Sequence, residues 1–203
     1  MKKHFLHISL FFFCNLSFAQ TIKLNAGRSI SSVNSSHKEL DILNKSINTT
    51  IIGIGVDLLE KENYYLSNEI AFSMLGGKEK NILLEAPYDD YTKKWAYLSL
   101  SSSFRYKFIF DESKFLFIGV GPKINILTDS KQFSETLYKD VYTMESYTIG
   151  TLTEIGYIQK ISEKYQVGIV GSYSYNVTPN SKTSHNNLRI NPIAINLTFG
   201  YSL

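Results

Sequence analysis

Cysteine is almost missing from this 203-residue chain. The single one, Cys14, falls within the first twenty positions. The rest of the chain can form no disulfide, no cysteine-type metal site and no thiol nucleophile. Histidine is scarce as well: past the first twenty positions only His37 and His185 remain. They lie far apart with no carboxylate at ligand spacing, which makes a poor metal site. No run of 18 or more apolar residues follows position 20, so no transmembrane helix is expected. An excess of one charge is also lacking. The formal net charge is +3, and without Lys2 and Lys3 the 21 basic residues become 19, against 18 acidic ones. A nucleic-acid binder needs a concentrated basic patch, so nucleic acid is not an expected partner. No motif for a cofactor appears.

Aromatics are plentiful, with 14 Tyr and 13 Phe. The first nineteen residues read as a secretory leader. Lys2 and Lys3 give the positive start. An apolar run from Phe5 to Phe13 follows, broken by His7 and Ser9. Ser17-Phe18-Ala19 is a small-x-small cleavage site. The expected organisation is a signal peptide over 1–19, cleaved after Ala19, and one domain over 20–203.

That domain alternates with period 2, the strand period. The last segment shows it best. Ile193, Ile195, Leu197, Phe199, Tyr201 and Leu203 alternate with Ala194, Asn196, Thr198, Gly200 and Ser202. Eight such strands are expected, over about 21–32, 47–59, 64–75, 95–110, 115–127, 146–161, 165–177 and 188–203. The odd-numbered connections are long, at 33–46, 76–94, 128–145 and 178–187. The even-numbered ones are short polar turns. Pro122 and Pro192 each predict a bulge or a local break. The strands are longer than the ~5–6 residues usual in soluble sheets. Tyr64, Tyr65, Tyr106, Phe108, Phe115, Tyr165 and Tyr201 gather near the short turns, where an aromatic girdle would sit. The pattern predicts an all-β fold, an eight-stranded antiparallel up-and-down transmembrane barrel with short periplasmic turns and longer external loops. A soluble barrel would put the greasy set inside instead.

Several stretches resemble a family. Leu66-Ser67-Asn68-Glu69-Ile70-Ala71-Phe72-Ser73, then Gly76, is similar to its third-strand pattern. Trp95-Ala96-Tyr97-Leu98-Ser99-Leu100 resembles its fourth strand without the usual proline. Phe117-Ile118-Gly119-Val120-Gly121-Pro122 resembles its fifth. Leu197-Thr198-Phe199-Gly200-Tyr201-Ser202-Leu203 is similar to its terminus, with Leu203 where Phe is frequent. The chain thus resembles the PorT-like outer-membrane β-barrel domain of Bacteroidetes-type bacteria. The resemblance implies an eight-stranded outer-membrane barrel, with a secretion or transport assembly as one role.

Few residues invite chemistry. Ser184 beside His185 suggests a lipid hydrolase, but adjacent residues on a loop lack the third group that fixes a nucleophile and base. Gly53-Ile54-Gly55 and Gly119-Val120-Gly121 lie inside strands on the polar face, where glycine makes room. Glu69, Arg105, Lys107, Lys123 and Glu154 fall on the polar faces too. In so narrow a barrel they should form an interior ion-pair network, with Glu69 against Arg105 and Lys123 against Glu154. Ile195, Leu197, Phe199, Tyr201 and Leu203 should face lipid. The apolar residues of 81–86 suggest a short strand extension or a contact surface, and Phe133, Leu137, Tyr138, Val141, Tyr142 and Met144 suggest either a contact surface or loops packing on one another over the barrel mouth.

The sequence therefore predicts a non-enzymatic outer-membrane barrel with a filled interior and no cofactor. It would act in envelope structure, adhesion or recognition. Its partners would be outer-membrane lipid, the barrel-assembly machinery through the C-terminal strand, and an unidentified molecule at the loops. It would be a monomer. An accessory barrel of a secretion assembly, a lipid-modifying enzyme and a soluble periplasmic carrier are the alternatives weighed.

Overall fold

A computed structural model describes residues 20–36, 43–79, 91–129, 132–134, 141–182 and 187–203. The leader assignment, His37, His185, Ser184 and the 81–86 patch lie outside the described residues. Eight strands close into one barrel. They are β1 (Thr21–Ser31), β2 (Ile47–Leu58), β3 (Tyr64–Glu79), β4 (Tyr91–Asp111), β5 (Lys114–Leu127), β6 (Tyr147–Lys160), β7 (Tyr165–Asn176) and β8 (Ile193–Ser202). Each pairs antiparallel with its chain neighbour, and β1 closes on β8. Closure leaves no free sheet edge.

The ladder is staggered. From Lys23, the paired row runs through Gly55, Glu69, Ser101, Lys123 and Gly150 to Asn176 of β7. In the other direction it runs through Gly200 to Gln166 of β7. The two ends lie ten residues apart (176 against 166). Such a shear goes with strands tilted roughly 35–45° to the barrel axis.

Alternation sorts the faces as the sequence predicts. Leu24, Ile54, Phe72, Phe104, Ile118, Ile155, Ile169 and Leu197 are exposed on the outside. Lys23, Asn25, Ser67, Ser99, Arg105, Lys123, Glu154 and Thr198 are buried inside. Val56 and Leu58 share the outer face but are almost fully covered.

Other expectations are corrected. Tyr65 and Phe115 belong to the inner face and are buried, so they leave the girdle to Tyr64, Tyr106, Phe108, Tyr165 and Tyr201. The 76–94 connection is partly strand, because pairing continues from Gly76↔Lys94 to Glu79↔Tyr91. Gly76 and Gly77 break the side-chain alternation there, but the backbone ladder does not need it. Pro122 brings the expected local break in the ladder, without a bulge. The β4–β5 register is the same on either side of it, with a gap opposite Ser102 and Ser103. The one irregularity of that pair is at Ile109/Asp111. Pro192 does more than bulge its strand. Asn187–Ile190 leaves the barrel and joins Val33–Ser35 and Ser181–Lys182 in a small separate sheet.

The long loops build a core of their own. Val33, Leu43, Met144, Leu188 and Ile190 pack with Leu75, Trp95 and Tyr97 at the upper end of β3 and β4. Met144 is therefore buried, which fits loops packed on one another over the mouth and not a contact surface at that residue. Stretches 33–46, 128–145 and 178–187 are polar on average. The few apolar residues in them converge because the barrel mouth offers apolar partners.

Some glycines inside the barrel lie under large side chains. A Cβ on Gly156 would stand 2.4 Å from the Phe117 ring, whereas one on outward Gly171 would meet nothing nearer than 3.7 Å. Gly156→Ala should lower stability by about 1–3 kcal/mol through overpacking, and Gly171→Ala should be close to neutral. Urea unfolding in detergent or lipid checks both, and equal midpoints for the two variants would contradict the packing described.

Candidate functional site

The interior is filled in three layers. At the short-turn end stand Tyr65, Phe115, Phe117, Ile158 and Val170. Three cations surround the Tyr65 ring: Lys23, Arg105 and Lys107, at 5.9, 5.8 and 5.6 Å from its centroid. Arg105 also lies 4.5 Å over Phe117. Such contacts strengthen when water is excluded. Lys107 closes the mouth by pairing with Glu60 at 3.0 Å.

The middle layer is ionic. Arg105 grips Glu154 with two bonds, Nη2 to Oε1 at 2.7 Å and Nε to Oε2 at 2.9 Å. The Ser103 hydroxyl also donates to Oε2, at 2.6 Å. A planar fork on a carboxylate is among the stronger charge-assisted arrangements. Arg105 and Glu154 are not on adjacent strands. Gly119 of β5 pairs with both, and a Cβ there would stand 2.9 Å from Arg105 Cγ and 3.2 Å from Glu154 Oε2. Glycine at 119 lets the pair form across the strand between them. A second pair joins Lys23 to Asp57 at 2.6 Å, and Lys23 Nζ also donates to Ser67 Oγ at 2.8 Å.

Glu69 and Lys123 complete this layer. The sequence suggested Glu69 with Arg105 and Lys123 with Glu154. Instead Arg105 takes Glu154. Glu69 accepts from Asn25 Nδ2 at 2.7 Å, and Lys123 donates to Ser174 Oγ at 3.0 Å. A cavity of about 20 Å³ lies among Glu69, Ser101, Lys123, Ser172 and Asn196. It has room for about one water. Among the described interior residues, four cations (Lys23, Arg105, Lys107, Lys123) face four carboxylates (Asp57, Glu60, Glu69, Glu154).

Above this lies an amide layer. Asn125 Nδ2 donates to Asn176 Oδ1 at 3.0 Å, and Asn176 Nδ2 donates to Asn180 Oδ1 at 3.1 Å and to the Ile190 carbonyl at 2.8 Å. Asn180 Nδ2 reaches the Tyr97 hydroxyl at 3.2 Å. These bonds tie the barrel wall to the apolar core of the long loops, which stands over the mouth.

All five predicted interior residues stand inside, but Lys23 and Asp57 were missing from the predicted network. The alternation Ile22-Lys23-Leu24 marks Lys23 as inward, and Asp57 falls on the polar face by the same rule. The predicted outer residues of β8, Ile195, Leu197 and Phe199, are exposed, as is Leu203 beyond its end, and Tyr201 is half-exposed. Among the described residues, no three His, Cys, Asp or Glu come together as a metal site would require.

Solved structures share this architecture. Neisserial surface protein A is similar at a TM-score of 0.55 and 12% identity, over 90% of this chain and 97% of that one. Ail, the attachment invasion locus protein of Yersinia pestis, is similar at 0.49 and 10%, over 90% and 99%. The N-terminal β-barrel domain of Pseudomonas aeruginosa OprF gives 0.45 and 7%, over 91% and 98%. The chain has the eight-stranded outer-membrane barrel fold. No family model matches it, and no curated protein matches it in sequence.

Within this barrel fold, the interior pair is open to test. Losing one member of a buried pair typically costs about 3–5 kcal/mol. Arg105→Met and Glu154→Gln should each destabilise the barrel to that extent, and together by much less than their sum. Glu69→Gln should add to Arg105→Met without strong coupling. Double-mutant cycles from urea unfolding check this, and additive effects for Arg105 and Glu154 would refute the pairing.

Proposed function

We propose that this chain is a non-enzymatic barrel of the outer membrane, acting in envelope structure, adhesion or recognition through its long-loop end. One observation carries the reading. Large apolar side chains are exposed on the outside of all eight strands, from Leu24 on β1 to Phe199 on β8, while lysine, arginine and carboxylates fill the inside. A continuous apolar girdle far exceeds the patches that soluble monomers expose. Facing hydrocarbon, the same surface is the favourable one. The barrel strands run from 10 to 21 residues, and a tilted strand needs roughly 9–11 to cross.

Tyr64, Tyr106, Phe108, Tyr165 and Tyr201 then mark the periplasmic interface, and the loop core faces outward from the cell. The leader over 1–19 would carry the chain through the inner membrane. The alternating end of β8, closing with Leu203, would be read by the barrel-assembly machinery. The filled lumen and the loop core over its mouth favour a structural or recognition role over a diffusion pore. The chain would work as a monomer, surrounded by outer-membrane lipid, with a partner at the loops. The resemblance of segments 66–73, 117–122 and 197–203 to PorT-like barrels favours a second reading, an accessory barrel of a secretion assembly. Deletion with loss of protein export would distinguish it.

The protein should fractionate with the outer membrane and change gel mobility on boiling. In a planar bilayer it should give no stable conductance steps. A soluble periplasmic protein with no mobility shift would sink the membrane reading, and steady conductance would sink the filled interior.

A further inference from the structure

Among the described interior residues, three of the four cations hold a carboxylate directly: Lys23 with Asp57, Arg105 with Glu154, and Lys107 with Glu60. Lys123 and Glu69 are the remaining charges, and the hydrogen bonds they make go to neutral groups. Lys123 Nζ carries three hydrogens and donates to Ser174 Oγ. Glu69 accepts from Asn25 on Oε2. Its Oε1 leans over Gly53, 2.7 Å from where a Cβ would stand. A charge shut away from water needs more than this.

The ladder keeps the two apart. Glu69 stands opposite Ser101, and Ser101 opposite Lys123. They are thus two strands apart, with a short side chain between them. Arg105 and Glu154 are also two strands apart, but the arginine fork reaches the carboxylate across Gly119. No such fork crosses Ser101. Ser172 leaves further room from β7. Both serines point inward yet are only half-buried, because with Glu69 and Lys123 they line the cavity of about 20 Å³.

Asn196 points to a ligand independently. It is inward on β8, 7% exposed, and lines the same cavity. Its Oδ1 is buried and meets no hydrogen-bond donor among the described residues. Leaving a buried amide so is costly.

The chemistry of the ligand follows. The space suits about one water. The occupant must donate to Glu69 and Asn196 and accept from Lys123. A chloride would suit Lys123 but be repelled by Glu69, and a sodium ion the reverse. Water donates and accepts, and it adds no charge to four cations already matched by four carboxylates. A bridging water is nearly as favourable as a direct hydrogen bond.

We propose that one water is a fixed part of the ionic layer, bound in this cavity as the bridge between Lys123 and Glu69, with Asn196 as its third partner. Through it the last two interior charges are joined. Ile51, Leu152 and Val170 supply apolar walls to the same cavity, so the water exchanges slowly with bulk solvent. The site rests on the filled interior proposed above.

The test uses the purified, folded protein. Its crystal structure should show one water within about 3 Å of Lys123 Nζ, a Glu69 carboxylate oxygen and the Asn196 amide. Crystals soaked in bromide or in rubidium should give no anomalous peak in the cavity. In detergent micelles, magnetic relaxation dispersion of the water signal should count one long-lived water fewer in Ser172→Val and in Ser101→Val, whose methyl groups take up the space. Thr151→Val on the outer face should keep the count. Circular dichroism reports folding of each variant. A cavity without water density, an anomalous peak within it, or an unchanged count in both folded interior variants overturns the bound water alone. Steady conductance in a planar bilayer overturns the filled interior and the water with it.

Discussion

An eight-stranded barrel encloses a lumen wide enough for side chains and little else. Every polar group turned inward must find its partner there, because bulk water cannot reach it. Much of this chain's interior composition answers that constraint. Long cations are set beside carboxylates, and glycines appear where a long side chain crosses the neighbouring strand. Arg105 reaches Glu154 only because Gly119 between them has no side chain. Phe117 rests on Gly156, and Gln166 on Gly200, in the same way. Glycines 119, 156 and 200 are thus steric complements of an ion pair, a ring and a long amide.

The same constraint sets which face is apolar. With charges held inside by partners of their own, the outside is free to be mostly apolar. A buried ion pair gains little over a hydrophobic pair of the same shape. Here its use is to give the inner face a composition unlike the outer one. A one-residue slip of register would exchange the two faces and place Lys23, Arg105 and Glu154 outside. The register is therefore fixed by a penalty on every strand. The loop core extends this order past the barrel, since Asn125, Asn176 and Asn180 link the wall to Trp95, Tyr97 and Ile190 without an unpaired amide among those three.

Much of this was legible in the sequence, for a definite reason. Period-2 alternation reports which face a residue takes, and the inner set Glu69, Arg105, Lys107, Lys123 and Glu154 follows from it directly. It does not report partners. The ladder climbs as it goes round, so Arg105 bonds a carboxylate two strands away instead of Glu69 on the next strand. Tyr65 and Phe115 were misassigned because an aromatic near a strand end suits either face, and only parity with Ser67 and Phe117 decides. Whether the loops pack together, and through which residues, was left open for another reason. Val33, Leu43, Met144, Leu188 and Ile190 come from three separate connections and share no period. Only the closed barrel brings them to one mouth.

A filled and paired interior also decides where function can reside. The cavity among Glu69, Ser101, Lys123, Ser172 and Asn196 has a volume of about 20 Å³, too little for a solute larger than water. Any change of partner inside breaks a matched charge, so the interior resists adaptation to a ligand. The short-turn end is held by brief turns and by pairs such as Lys107 with Glu60. What remains free to vary is the rim, where strands β3 and β4 outrun their neighbours. The paired interior makes the barrel a stiff frame, from which the strands of the long-loop end extend at fixed heights.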